Sequence, residues 1–178
     1  GSHNVKFLCV RYGNVLGSRG SIIPLFINKI KQGKKITITD PEMTRFNITI
    51  DSATDLIFRA LKNNIGGSIL IPKLPAYKVR ILKDALLELL NSEDQSIRIP
   101  VRPGEKYHES LISLDESRNV YENDTDYLIY EPNREVTDPL PNEFKKITLT
   151  DSYSSNKVSI LSKNELKDIM LKENLIQI

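Results

Sequence analysis

Apolar and polar positions alternate along this chain in two rhythms, one of period two and one of helical period. Val5–Tyr12 is a short apolar run with β-branched and aromatic residues, which predicts a buried strand. Gly13, Gly17 and Gly20 follow it, and the apolar positions then take helical spacing through Ile22–Lys31. Ser21 stands where an N-cap belongs, Pro24 is tolerated in a first turn, and Gly33 ends the helix. Ile36–Thr39 and Phe46–Ile50 alternate as strands do, separated by the turn-forming pair Asp40-Pro41. A second helix is predicted over Ala53–Lys62, capped by Asp51 or Ser52, with Leu56, Ile57, Ala60 and Leu61 as its apolar stripe and Asn64–Gly67 closing it. Ser68–Ile71 and Ser96–Val101 read as strands, Val79–Leu90 as a helix, and Arg102–Lys106 as a Pro-Gly turn into a short helical pattern holding Tyr107 and His108. Beyond Leu114 the rhythm fades: Asn119–Asp126 is polar and Thr137–Pro141 is punctuated by proline, before a last helix over Glu165–Lys172 capped by Ser162.

Strands alternating with helices predict an α/β or α+β-like arrangement. Three to four helices and short strands suit a small lobe better than a complete doubly wound sheet. The 178 residues suffice for one domain with a core, or two very small ones.

With 39 % hydrophobic and 27 % charged residues, the composition is that of a globular protein. A net charge of +2 gives no argument for a nucleic acid or a membrane as partner. No apolar run approaches the roughly 20 residues of a membrane span, and no signal peptide is visible. Cys9, the single cysteine, sits in an apolar run, so no internal disulfide can form and a cytoplasmic location is expected. Gly1-Ser2-His3 reads as the scar of a cleaved tag, and a chain that then opens at the threshold of a strand suggests a fragment. His108 is the one remaining histidine, and no metal-ligating set is visible.

Two short motifs invite an enzymatic reading. Strand, glycine turn and helix is the order of a dinucleotide-binding loop, with Asp40 about 20 residues beyond Gly20 where a ribose-binding acid would stand. The spacing G-x-x-x-G-x-x-G is not that motif's, and a second strand follows Asp40 where a crossover helix should stand. Arg19 and Pro24 also crowd the place where bare amides would meet a pyrophosphate. Tyr153-Ser154-Ser155-Asn156-Lys157 matches Y-x-x-x-K, a pair that needs a helix to bring phenol and ammonium to one face. The serine-rich context reads instead as a solvated turn. Asp40 and Asp51 are explained by turn formation and helix capping, and His108 by a structural role.

Two arginines stand at element boundaries. Arg45 opens a strand in MTRFNITIDSATDL, and Arg102 follows one in VRPGEKYHESLIS. Each alone is most often a surface ion pair, whereas two guanidinium forks from different segments suit a diphosphate.

RYGNVLGSRGSIIPLF, ITITDPEMTRFNITIDSATDLI, ILIPKLPAYKV and VRPGEKYHESLIS, in this order, resemble the C-terminal half of nucleotide-sugar 4,6-dehydratases. The resemblance is closer to the polysaccharide-biosynthesis branch that acts on UDP-N-acetylglucosamine, within the extended short-chain dehydrogenase/reductase superfamily. It covers nearly the whole chain and extends to DSYSSNKVSILSKNEL, a segment without catalytic role in that family.

The resemblance implies a fold, the C-terminal lobe of an extended short-chain dehydrogenase/reductase without its N-terminal Rossmann half. It implies residues 4–114 as a substrate-binding lobe that includes the last Rossmann-type strand, with 115–178 as an extension packed on it and 1–3 as the tag remnant. It implies NAD(P) bound by the other half and no cofactor on this chain, which would carry no catalytic residue and be inactive alone. Asn14 then matches a residue at the sugar-phosphate end of a UDP-sugar, Arg45 and Arg102 match diphosphate-binding arginines, and Glu105 matches an acid near the ribose. Arg19 and Ser21–Pro24 fall where the substrate loop passes the uracil. The implied partners are the UDP-sugar and the Rossmann half, and a homo-oligomer of the whole protein is compatible. The reaction would be 4,6-dehydration; a 4-epimerase or reductase of the superfamily, a non-catalytic nucleotide-sugar-binding module, and a small NAD-binding domain stand as alternatives.

Overall fold

The structure, a computed structural model, describes residues 5–130 and 139–176. Residues 1–3, read above as a tag scar, and the beginning of the proline-punctuated stretch, residues 137 and 138, lie outside them. In chain order the first elements are β1 (Cys9–Val10), β2 (Asn14–Val15), α1 (Ile22–Lys31), β3 (Thr37–Ile38), β4 (Thr44–Ile48) and α2 (Ile50–Asn63). There follow β5 (Ile69–Pro72), β6 (Ala76–Lys78), α3 (Val79–Leu89), β7 (Ile97–Arg98), β8 (Ser110–Ile112) and a 3₁₀ turn, Glu116–Asn119. β9 (Val120–Glu122), β10 (Asp126–Ile129), β11 (Lys145–Ile147), β12 (Tyr153–Ser154) and α4 (Lys163–Lys172) complete the described residues. The mixed α/β class and the four helices are as the pattern predicts.

Helix ends follow their local chemistry. At α4 the Ser162 hydroxyl accepts from the Glu165 N–H, and the Glu165 carboxylate accepts from the Ser162 N–H, a complete capping box. Ser21 has the extended backbone of an N-cap to α1, but its hydroxyl makes no capping bond. Asn64 follows α2 with φ 52°, a left-handed conformation that a short amide side chain tolerates.

The chain forms two compact units, each assembled from three separate segments. The first unit takes in the described residues of Gly1–Tyr12, Ile50–Lys73 and Ser110–Ser154. Its centre is a five-stranded sheet in the order β1-β5-β10-β9-β11, with β1 parallel to β5 and the remaining pairs antiparallel. The stripe predicted on α2 divides: Leu56 and Ala60 are buried with Leu70, Leu128 and Phe144, while Ile57 and Leu61 stay exposed. Arg59 binds both carboxylate oxygens of the buried Asp126 at 2.8 Å.

The second unit comprises Gly13–Thr49, Leu74–Glu109 and Ser155–Ile178, of which the structure describes residues up to 176. Its strands form a three-stranded sheet, β2-β4-β6, and a parallel pair, β3 with β7. Helices α1, α3 and α4 bury Ile23, Phe26, Leu82, Leu86, Leu166 and Met170 in one core with Ile36, Met43 and Tyr77.

Five expectations need correction. The strand over Val5–Tyr12 contracts to β1, and Cys9 is exposed rather than buried. Ser96–Val101 contracts to β7, with Ile99 N–H also donating to the Ile38 carbonyl. Tyr107 and His108 are not helical, because the Tyr107 carbonyl accepts from Thr44 N–H and so ties this stretch to β4. The polar Asn119–Asp126 stretch includes the turn of the β9–β10 hairpin, held by the Asn123 side chain, which accepts from the N–H groups of Thr125 and Asp126. Tyr153, Ser154 and Ser155 are buried, so only Asn156 and Lys157 of that segment behave as a solvated turn.

Candidate functional site

A cavity of about 250 Å³ lies within the second unit. Asn14 and Gly17 open it, Ser21 and the first turns of α1 form one wall, and Thr37–Thr39 form another. Arg45 of β4, Tyr77 of β6, and Arg102 and Glu105 of the Pro-Gly turn complete its lining.

Backbone proximity requires two of the glycines. A Cβ on Gly13 would lie 2.4 Å from Phe46 Cβ, so only glycine lets the chain enter β2 this close to β4. Gly17 has φ 70°, and a Cβ there would lie 2.4 Å from Leu175 Cδ2. The turn does connect a strand to a helix and then to a parallel strand, through β2, α1 and β4. The space beside Gly17 is nevertheless filled by Leu175, where a dinucleotide needs open backbone for its pyrophosphate. At Gly17 the turn is thus covered by a side chain, whereas Gly20 faces open space.

Arg45 is a well-anchored guanidinium. Its Nη1 donates to the carbonyls of Thr44 at 2.7 Å and Tyr107 at 3.1 Å, and its Nε lies 3.7 Å from Glu109 Oε1. Pairing of β4 with β6 sets Arg45 opposite Tyr77. Burial pushes the Tyr77 phenol up to about 12, against an opposing pull from the Arg45 charge, so the ring stays neutral and forms an uncharged wall.

Glu105 accepts from the Arg102 N–H at 3.1 Å and from the Thr39 hydroxyl at 2.9 Å. The Arg102 N–H does most to hold its carboxyl below the usual range, followed by the Thr39 hydroxyl and the charges of Arg102 and Arg45. A carboxylate so held is an acceptor, suited to a diol or an amine rather than to donating a proton. Ser21 Oγ is buried without a hydrogen-bond partner, although serine brings a donor and an acceptor. Asn47, opposite Asn14 in the β2–β4 pair, has a buried Oδ1 that also lacks one.

Of the residues singled out in the sequence, Asn14, Arg45, Arg102 and Glu105 converge on this cavity, and Arg19 is exposed outside its lining. Asp40 stays in its turn, accepting from Glu42 N–H and pairing with Arg98 at 2.9 Å. Asp51 lies in the first turn of α2 rather than capping it. Among the described residues no three His, Cys, Asp or Glu side chains group as a metal site would require. Tyr77 and Thr39 escaped sequence reasoning. The signal for Thr39 was the alternation Thr37-Ile38-Thr39, and for Tyr77 it was one aromatic residue within the ILIPKLPAYKV block.

Residues 1–131 match a family model described as polysaccharide biosynthesis protein. A UDP-glucose 4-epimerase of Rickettsia rickettsii is 39% identical over 173 residues, covering 96% of this chain and 51% of that protein. The crystal structure of Pen from Bacillus thuringiensis superposes with a TM-score of 0.86 at 36% identity, over 99% of this chain and 52% of that one. A UDP-glucose 4-epimerase with UDP-glucose from Thermotoga maritima, at 20% identity, shares the fold over 58% of this chain and 36% of its own, with a TM-score of 0.51. The chain thus spans about half the length of the Rickettsia and Bacillus relatives it matches.

Proposed function

The chain belongs to the polysaccharide biosynthesis protein family, and from that membership we propose that its second unit binds the UDP end of a nucleotide sugar. The observation that carries this reading is the convergence of Arg45, Arg102, Glu105 and Asn14 on one cavity. Arg45 and Arg102 bind the diphosphate, because two guanidiniums from separate segments can each meet phosphate oxygens. Glu105 accepts from the ribose diol, and the Asn14 amide serves the sugar-phosphate end. Ser21 Oγ, buried and unpartnered, offers a hydrogen bond to the uracil beside the apolar Leu16 and Phe26. The volume of about 250 Å³ is below the roughly 300–1,000 Å³ of sites that enclose a whole drug-sized ligand, which suits capture of one end of a longer substrate.

The whole protein is proposed to be an NAD(P)-dependent UDP-N-acetylglucosamine 4,6-dehydratase, the outcome carried by the four sequence blocks. NAD(P) would be held by the rest of the protein. A UDP-sugar 4-epimerase is the second reading, favoured by the name given to the Rickettsia relative. Product analysis on the complete protein separates the two: a 4-keto-6-deoxy sugar means dehydration, and a C4 epimer with an intact 6-hydroxyl means epimerisation.

Calorimetric titration of this chain with UDP and with NAD tests the binding reading. UDP is expected to bind and NAD to remain silent. Loss of a charged hydrogen-bonding partner is worth about 1.5–3 kcal/mol, roughly ten- to a hundredfold in affinity, so Arg45→Ala and Arg102→Ala should each weaken UDP by that order. NAD binding that survives both substitutions would sink the proposal.

A further inference from the structure

We infer that Ser155 is a positioning residue for Arg45, supplied by a segment that lies beyond the 131 residues matching the family model. The inference rests on Arg45 being a diphosphate-binding residue. Ser155 is fully buried, unlike a solvated turn serine. Its N–H donates to the Glu109 carbonyl at 2.8 Å, and its Oγ accepts from the Glu109 N–H at 2.9 Å. The same Oγ lies 2.7 Å from Thr44 Oγ1 and donates to the Thr44 carbonyl at 3.2 Å. Thr44 Oγ1 in turn lies 2.8 Å from His108 Nδ1.

Ser155 therefore joins two stretches of backbone, Thr44 in β4 and the Tyr107–Glu109 segment. Those stretches hold the guanidinium: Arg45 Nη1 donates to the carbonyls of Thr44 and Tyr107, and Glu109 faces Arg45 Nε. A guanidinium fork binds a diphosphate well only if its plane is fixed beforehand, since less side-chain freedom is then lost on binding. Removing the Ser155 hydroxyl takes one of its neighbours from Thr44 Oγ1, a donor from the Thr44 carbonyl and an acceptor from the Glu109 N–H, and so loosens the carbonyls that orient Arg45.

The test uses the full 178-residue chain. Ser155→Ala is read first without ligand, through the Arg45 Nε–H resonance in a ¹⁵N-edited spectrum, assigned by its loss in Arg45→Gln. The expected result is a shifted, faster-exchanging resonance. The second readout is UDP affinity, expected to fall about tenfold, the effect of one lost buried hydrogen bond of about 1.4 kcal/mol, and to show no further fall when Ser155→Ala is added to Arg45→Gln. An unmoved Arg45 resonance, or an equal loss in the Arg45→Gln background, overturns the inference. Should Ser155→Ala fail to fold, Thr44→Val and Thr44→Ser take its place: the valine variant should reproduce the change in the resonance, the serine variant should restore it, and equal behaviour of the two overturns the inference. A native chain that ignores UDP overturns the binding reading alone, because the ligand-free resonance still decides the positioning claim.

Discussion

Gly17 illustrates how one residue can serve backbone geometry while standing in a motif that suggests something else. Its φ of 70° and the close Leu175 methyl explain the glycine without any phosphate. Gly17→Ala should destabilise the chain by about 1–3 kcal/mol, the cost of a left-handed non-glycine residue plus crowding. A urea unfolding midpoint measures this, and adding Leu175→Ala should recover part of the loss; a midpoint unchanged by Gly17→Ala would show that the turn tolerates a side chain. A second prediction at this scale concerns Glu116, which receives both Nη atoms of Arg11 and also the Ser113 N–H. These partners, Arg11 first, lower its carboxyl from 4.5 to about 2. A depressed folded-state value means that the stabilisation is full above the unfolded value and disappears as pH falls through the folded one. Stability should therefore decline between about pH 4.5 and pH 2, and Glu116→Gln should flatten that part of the profile in acid titrations followed by circular dichroism. Because the pair is partly exposed, salt should reduce the effect.

At the scale of elements, the helices were legible and the strands much less so. α1 spans the predicted Ile22–Lys31, because ten residues of periodic apolar spacing give a strong local signal. The Ser162 cap was legible for the same reason, since every member of the capping box is local in sequence. Ser162→Ala should lower stability by about 1 kcal/mol, read as a drop in the urea midpoint with little change of slope; no drop would mean that α4 is held entirely by packing. Strands of two to five residues carry a weaker signal, although β3, β4 and β5 overlap the runs predicted for them. β9, β10 and β11 exist through pairing with distant partners and through the Asn123 turn, which Asn119–Asp126 presents only as polarity. The site behaved likewise. Arg45 and Arg102 stood out as charges at element boundaries, but the support of Arg45 by Ser155, more than a hundred residues away in sequence, depends on tertiary contact and left no local trace.

At the scale of the whole molecule, the two units share the chain in alternation, each taking three segments. Covalent order and compactness are therefore uncoupled. A cut in the exposed Lys34–Lys35 loop gives a shorter piece that carries β1 of the first unit together with β2 and α1 of the second. To separate, the two pieces would have to break the β1–β5 pairing, the β2–β4 pairing and the contacts of α1 with α3 at once. Trypsin nicking there should leave a particle that elutes at the size of the intact chain and yields two bands only in denaturant. Immediate separation under native conditions would show that these attachments together are too weak to hold the pieces. The nicked particle is expected to keep the cavity whole without an intact peptide backbone, presenting Asn14 and Arg45, from opposite sides of the cut, to one ligand.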